Sequence, residues 1–154
     1  MSPTIDDISN PNLVALDLDL ADRWEAIDAL ADLLDRDGRL SDRDAYVSAV
    51  RAREEATGGT AMEMGIAIPH AKSAGVSEAG FAFGRATSAV DFGDEEADLI
   101  FLIAAPEGEA NLHVTVLQQL ARRLVHEKFR TALREARTPE EAFNLIREEV
   151  SISK

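Results

Sequence analysis

The chain has 154 residues, of which 29 are Asp or Glu and 16 are Lys or Arg, giving a formal net charge of −13 and a pI near 4.5. It contains no cysteine, which excludes disulfides, thiol catalysis and cysteine-based zinc sites. We expect a cytoplasmic protein that neither inserts into membranes nor binds nucleic acid. The sequence lacks an apolar run near the ~20 residues of a membrane span, a signal-peptide pattern, and a basic stripe that could neutralise phosphates.

The first third of the chain is predicted to contain one strand and two helices. Residues 13–18 are short and apolar enough for a strand. Apolar residues recur at helical spacing over 24–34, and Gly38 is the expected stop. The segment 41–44 has the pattern of a capping box and predicts a second helix that runs to about Glu55.

The middle of the chain is predicted to be rich in strands. Residues 57–60, with two glycines, break the second helix. Strand-like runs follow at 65–68, 80–85 and 98–104. The last run is continuously apolar, which is typical of a strand buried on both faces.

The remainder of the chain is predicted to be helical. A turn at 106–109 precedes a long helical pattern that begins at about Asn111 and continues to Val125. The final helix opens at Thr138, with Pro at its first position and Glu at its third.

The order of these elements predicts one α/β domain, in which a sheet is covered by helices. We expect a flexible N-terminal lead-in over residues 1–12, the domain over 13–150, and a short C-terminal tail over 151–154.

His70 directly follows Pro69 at the end of a predicted strand. Because proline cannot donate to a β-ladder, we expect His70 to leave the sheet at its rim. Binding and catalytic groups often occupy such positions on a rigid scaffold. The alternative is a surface histidine without a chemical role.

The other two histidines lie on predicted helices. His113, in the first turn after the buried strand, becomes a second imidazole near His70 if the strand ends at 69 and 104 share one edge. Otherwise it is a half-buried helix residue. His126 lies on a charged helical stretch and is expected to be solvated and structural.

Arg53 and Glu54 close the second helix, and such a pair is usually a solvated helix face. Arginine is nevertheless the side chain that best grips a phosphoryl group, through its planar fork of donors. The sequence has no phosphate-binding P-loop, dinucleotide fingerprint, hydrolase elbow or metalloprotease motif.

Several segments together resemble the enzyme IIA domain of the fructose/mannitol class, from the phosphoenolpyruvate-dependent sugar phosphotransferase system. The resemblance covers residues 13 to 148, and one departure is that Ala61 and Glu63 stand where the family commonly has glycines. The segments that carry it are Arg53-Glu54-Glu55, Gly58-Gly59-Thr60, Gly65-Ile66-Ala67-Ile68-Pro69-His70-Ala71-Lys72-Ser73, and Leu112-His113 with Val116-Leu117-Gln118-Gln119-Leu120-Ala121.

This resemblance implies a mixed β-sheet flanked by α-helices and the function of a phosphocarrier. His70 would accept a phosphoryl group from the carrier protein HPr and pass it to a cysteine of a IIB domain, for sugar uptake through the membrane domain IIC. His113 would be the neighbouring imidazole and Arg53 the guanidinium near the phosphoryl oxygens. Neither a metal nor an organic cofactor is implied.

Three readings remain open. Transport of fructose is favoured over mannitol by the segment Pro69–Ser73. A regulatory IIA of the nitrogen-related type would share the same histidine and act by phosphorylation-dependent protein binding. A metal-binding enzyme using His70, His113 and nearby carboxylates is a remote third, because the ligand spacing typical of such sites is missing.

The basic residues are unusual, because only Lys72, Lys128 and Lys154 are lysines. An acidic, lysine-poor surface is typical of proteins from a high-salt cytoplasm, where the Debye length is ~3 Å at 1 M salt and self-repulsion is screened. We therefore predict a halophilic origin, with an unusually acidic mesophilic protein as the alternative.

Overall fold

The structure is a computed structural model that describes residues 5–59, 61–62, 64–93, 95–108 and 112–150. For residues 62 and 112–117 the backbone alone is described. The helices and strands follow in chain order as α1 (Ile5–Ile8), β1 (Val14–Leu18), α2 (Arg23–Arg36), α3 (Arg43–Thr57), β2 (Ala61–Met62), β3 (Ile66–Ala67), β4 (His70–Ser73), β5 (Gly80–Asp91), β6 (Glu96–Pro106), α4 (Leu112–Leu124), α5 (Glu127–Glu135) and α6 (Pro139–Glu149).

The strands form one mixed sheet in the order β1-β5-β6-β3-β2, and β4 also pairs with β6. β6 runs antiparallel to β5 but parallel to both β3 and β4. β3 and β4 therefore lie end to end along the same side of β6, and the pairing is interrupted at residues 68 and 69. The predicted α/β domain with a mixed sheet flanked by helices is confirmed.

The two faces of the sheet support two hydrophobic cores. Alternate side chains of β6 enter each core, as the period of two in a strand requires. Leu99, Phe101 and Ile103 pack with α1, α4, α5 and α6, whereas Ile100, Leu102 and Ala104 pack with α2 and α3. Helices on both faces explain why the predicted strand over 98–104 is continuously apolar.

Most helix boundaries agree with the prediction, because the capping residues act as expected. Asp22 accepts a hydrogen bond from the first turn of α2, and Gly38 has a positive φ of 80° just beyond its end. Thr138 accepts from the amide of Glu141 at 3.0 Å and opens α6. At α3, however, the cap is Asp42 rather than Ser41, and it accepts from the amide of Ala45.

Residues 5–12 differ from the predicted flexible lead-in. Ile5 and Ile8 of α1 are buried against the sheet, and the Ser9 hydroxyl donates to the carbonyl of Phe81 at 2.9 Å. The spacing of the two isoleucines by three residues gives this short helix an apolar side. Residues 1–4 and the predicted tail 151–154 lie outside the described residues.

The helical pattern predicted from about Asn111 to Val125 is α4, and α5 follows it as a further helix that was not predicted. The guanidinium of Arg130 donates to the carbonyls of Leu124 and Val125 at 2.8 and 2.9 Å, so the carbonyls at the end of α4 are satisfied. His126 is therefore not helical but is the N-cap residue of α5.

No helix within the described ranges is both long enough and apolar enough to cross a bilayer.

Candidate functional site

His70 begins β4 and does not leave the sheet, so the prediction that it would do so is wrong. The interruption at Ile68 and Pro69 is brief, and His70 then pairs with Ile103 of β6. Pro69 is tolerated because the ladder uses its carbonyl, which accepts from the amide of Ile103 at 3.0 Å, and needs no N–H from it. The histidine is half-buried.

The two ring nitrogens of His70 have different partners. Nδ1 lies 2.8 Å from the carbonyl oxygen of Ile68. Because a carbonyl can only accept, this contact assigns the ring proton to Nδ1. Nε2 then carries the lone pair, and it accepts a hydrogen bond from Nε–H of Arg53 at 3.0 Å.

α3 brings Arg53 to His70, and a buried tyrosine ties this helix to the sheet. The Tyr46 hydroxyl donates to the carbonyl of Ile103, the residue that pairs with His70, at 2.7 Å. Burial raises the pKa of Tyr46 well above its ordinary value, so the hydroxyl remains a donor. Tyr46 and Arg53 lie two helical turns apart and share one side of α3.

The surroundings of His70 favour the neutral ring. Burial lowers the pKa of His70 below its ordinary value of 6.5, and the positive charge of Arg53 lowers it further, against the opposing effect of the Ile68 carbonyl. At neutral pH the imidazole is therefore uncharged, and Nε2 has a lone pair.

A cavity of about 170 Å³ lies beside His70. The small side chains of Ala49 and Ala71 leave room there, and Arg53 and Lys72 supply positive charge. No acidic side chain occurs among the described residues of its lining. The arrangement suits a negatively charged group placed next to Nε2.

The loop before the site makes two close backbone contacts, and a glycine takes part in each of them. Gly59 has a φ of 118°, and a Cβ added there would overlap the carbonyl oxygen of Phe92. Gly93 has a φ of 108°, and a Cβ there would overlap the carbonyl oxygen of Gly58. Side chains are therefore excluded where this loop meets the β5–β6 connection. Thr60 and Glu63 lie outside the described residues, whereas Ala61 and Met62 form β2.

Arg53 and Glu54 do not both lie on a solvated helix face. Arg53 is exposed, but the side chain of Glu54 is completely buried.

His113 is the second residue of α4, and its side chain lies outside the described part of the structure. The strand arrangement on which its prediction depended is present, since β4 and β6 are parallel neighbours and α4 follows β6.

His126 is exposed, as predicted, but lies between two helices. No group of three or more His, Asp or Glu residues in the described ranges could hold a metal ion.

Tyr46, Ala49 and the Ile68 carbonyl are the parts of the site that the sequence interpretation did not single out. The spacing of seven residues between Tyr46 and Arg53 was the available signal, since it places both on one side of a helix.

Comparison with known families gives a match over residues 7–149 to the model of "Phosphoenolpyruvate-dependent sugar phosphotransferase system, EIIA 2". The fructose-specific EIIA component of Haloferax volcanii is 37% identical over 150 residues, which cover 95% of this chain and 96% of that protein. The fructose-specific EIIABC component of Bacillus subtilis is 35% identical over 145 residues. These cover 92% of this chain but only 23% of that much longer protein.

Solved structures of similar fold carry the same family names. The mannitol IIA of Escherichia coli is 27% identical, with a TM-score of 0.77 over 90% of this chain and 98% of that one. A second structure, the complex of E. coli enzyme IIAMtl with phosphorylated enzyme IIBMtl, aligns at 25% identity, with a TM-score of 0.76 over 90% of this chain and 96% of that one. The nitrogen regulatory protein IIA-Ntr of Neisseria meningitidis is 26% identical, with a TM-score of 0.76 over 89% and 94%.

The acidic, lysine-poor composition and the similarity to a Haloferax protein both agree with the predicted halophilic character. The match over nearly the whole chain, with the fold to support it, means that the chain belongs to the EIIA type 2 family of the phosphoenolpyruvate-dependent sugar phosphotransferase system.

Proposed function

We propose that this protein is a cytoplasmic phosphocarrier that accepts a phosphoryl group from HPr on Nε2 of His70 and passes it to a IIB domain. The observation that carries the proposal is the pair of contacts on the imidazole: Ile68 holds the proton on Nδ1, and Arg53 meets the lone pair of Nε2. A neutral nitrogen nucleophile next to a guanidinium is suited to phosphoryl transfer, which needs positioning and charge stabilisation.

In the transfer step, the Nε2 lone pair of His70 attacks phosphorus in line while the bond from phosphorus to the donor nitrogen of HPr breaks. The proton stays on Nδ1, which continues to donate to the Ile68 carbonyl. Arg53 leaves Nε2 and donates to the phosphoryl oxygens, which its fork of five N–H groups allows without moving α3. Transfer to the IIB cysteine reverses these changes.

His113 is proposed as a neighbouring imidazole that donates to the phosphoryl group, and Lys72 adds positive charge at the cavity. The chemistry requires neither a metal nor an organic cofactor, because the histidine itself is the covalent carrier.

Fructose is the proposed sugar, and its uptake would proceed through a membrane domain IIC that the IIB domain serves. Support comes from the two relatives named as fructose-specific components. The structure of E. coli mannitol IIA with phosphorylated IIB supports a IIB domain as the acceptor.

A regulatory function is the second candidate, favoured by the similarity to the nitrogen regulatory IIA of N. meningitidis. The two functions differ in the acceptor. Rapid transfer of the phosphoryl group from this protein to a fructose IIB domain supports transport, whereas a stable phosphorylated protein in the presence of IIB supports regulation.

Phosphorylation of His70 can be tested with phosphoenolpyruvate, enzyme I and HPr. We expect an acid-labile phosphoryl adduct on the wild type and none on His70→Ala, because no other histidine has this pair of contacts among the described side chains. His126→Ala is the matched control and should be phosphorylated normally. A wild type without an adduct, or an undiminished adduct on His70→Ala, would contradict the proposal.

A further inference from the structure

The corner between α4 and α5 concentrates positive charge in an acidic protein. Residues 122–130 contain four of the 16 Lys and Arg residues of the chain and only one of its 29 Asp and Glu residues. In a protein with a net charge of −13, a basic stretch of this density is a local reversal of sign. Such a reversal attracts anions to one place on the surface.

This corner surrounds a cavity of about 390 Å³, more than twice the volume of the one beside His70. Its lining combines three basic or titratable side chains with an apolar wall and one carboxylate. The residues are Arg123, His126 and Lys128, then Phe129, Ala132 and Leu145, and Glu149. The size and the mixture of an apolar wall with a few polar groups are typical of small-molecule sites.

Two of the cations in the cavity are available to a ligand. Neither Arg123 nor Lys128 forms an ion pair with any acidic group in the described ranges. Nε of Arg123 is buried and has no hydrogen-bond acceptor within that part of the chain. A buried donor without an acceptor is costly unless a ligand supplies one. Nε of Arg130 also lacks an acceptor there, but Arg130 does not line the cavity, and its Nη1 donates to the carbonyls of Leu124 and Val125.

The N-terminus of α5 adds to the positive potential at this corner. Lys128 lies in its first turn next to Glu127, where the positive end of the helix dipole favours a further anion. His126, the N-cap residue, makes no side-chain hydrogen bond to the first-turn amides. The amide of Phe129 already donates to the carbonyl of His126, so a bound anion would accept from the amides of Glu127 and Lys128 and would offset the charge of Lys128.

We propose that this cavity binds a small phosphomonoester. Its phosphate would lie between Arg123, Lys128 and the first turn of α5, with its carbon part against Phe129 and Leu145. Glu149 would accept a hydrogen bond from a hydroxyl of the ligand. Binding is reversible, and no covalent bond is formed or broken.

The cavity is separate from the site at His70. α4 begins beyond the end of β6, which is the neighbour of β4, and its 13 residues extend for about 20 Å to the basic corner. Binding at this corner therefore does not depend on the proposed phosphocarrier function, and it can be measured on the unphosphorylated protein without HPr or IIB.

The test is a titration of the ¹⁵N-labelled full chain, followed by NMR, with three probes: fructose 1-phosphate, inorganic phosphate and fructose. We expect fructose 1-phosphate to shift the amide signals of residues 123–132 saturably, inorganic phosphate to bind more weakly, and fructose to have no effect. Arg123→Gln and Lys128→Gln should each weaken binding about tenfold, which corresponds to the loss of one charged contact.

Arg122→Gln is the matched control, because Arg122 is the neighbouring arginine on α4 but does not line the cavity. It should leave the affinity unchanged, and all three variants should still be phosphorylated on His70. The proposal is overturned if the shifts are confined to residues around His70, if Arg122→Gln weakens binding as much as the cavity variants, or if inorganic phosphate binds as tightly as the ester.

Discussion

Burial of His70, together with the contacts on its two ring nitrogens, determines how this residue responds to pH. Its pKa in the folded protein lies below the ordinary value of 6.5, chiefly because of burial. Between the two values the unfolded chain binds more protons than the folded one, so His70 makes folding less favourable as the pH falls through this window. Phosphoryl acceptance needs the neutral ring, and we expect its rate to be constant above about pH 6.5 and to fall below the pKa of His70.

Replacing Arg53 tests this account at the level of one residue. Arg53→Gln removes a positive charge next to Nε2, so the pKa of His70 should rise towards 6.5, as followed by NMR titration of the ring. The rate of phosphoryl acceptance should fall about 100-fold, because the stabilising donor for the phosphoryl oxygens is lost.

Arg51→Gln is the control for this change, since Arg51 lies on the same helix but pairs with Asp28. Neither the pKa of His70 nor the rate should change in that variant. An unchanged pKa in Arg53→Gln would mean that the contact between the two side chains does not persist in solution.

At the residue scale, the family resemblance, and not position alone, singled out His70 and Arg53, and the structure brings the two side chains within 3.0 Å of each other. The sequence was not sufficient to predict that His70 stays in the sheet. The lost donor of Pro69 suggested the end of a strand, but the parallel ladder with β6 uses only the carbonyl of that residue.

At the scale of elements, one buried arginine on β5 joins three parts of the fold. The Arg85 guanidinium donates to the carbonyls of Leu133, Arg134 and Ala136, where α5 ends, at 3.0, 3.1 and 2.6 Å. It also meets Asp17 of β1 at 3.0 Å. The end of α5 thus depends on a side chain from the sheet in place of a capping glycine.

Arg85→Met should lower the free energy of unfolding by about 2–4 kcal/mol in urea denaturation, because buried carbonyls lose their donor. Asp17→Asn should cost less than about 1 kcal/mol. The Asp17 side chain is 77% exposed, so its ion pair contributes little. Asparagine also tolerates the positive φ of 59° at this position. Equal losses in the two variants would assign the stabilisation to the ion pair instead.

The sequence predicted elements well where a cap or a breaker marked the boundary, as at Gly38 and Thr138. It did not predict the division between α4 and α5. No glycine or proline occurs at that corner, and the break is stabilised by Arg130, whose contact with the end of α4 forms only in the folded chain.

At the scale of the whole molecule, the class of fold followed from the order of the elements, while the strand order did not. Sequence patterns show which segments are apolar but not which strands are adjacent. The pairing of β1 with β5 and of β4 with β6 joins residues far apart in the chain.

The net charge of −13 predicts that salt stabilises the folded protein. When KCl is raised from about 0.1 M to about 1 M, the Debye length falls from ~10 Å to ~3 Å and the self-repulsion of the compact state is screened. The midpoint of thermal unfolding should therefore rise. Exposed ion pairs such as Arg147–Asp6 weaken at the same time, but their contribution is small. A midpoint that falls with KCl would show that ion pairs outweigh self-repulsion.

The position of His70 in β4 also bears on self-association. Within the described sheet, β4 has β6 as its one neighbour, so the strand that carries the proposed phosphoryl acceptor also presents an unpaired edge to other copies of the chain. Its four-residue length and the exposed charge of Lys72 both discourage strand addition. One of the chain's three lysines thus lies where its charge protects the edge that the proposed phosphoryl transfer requires to be open.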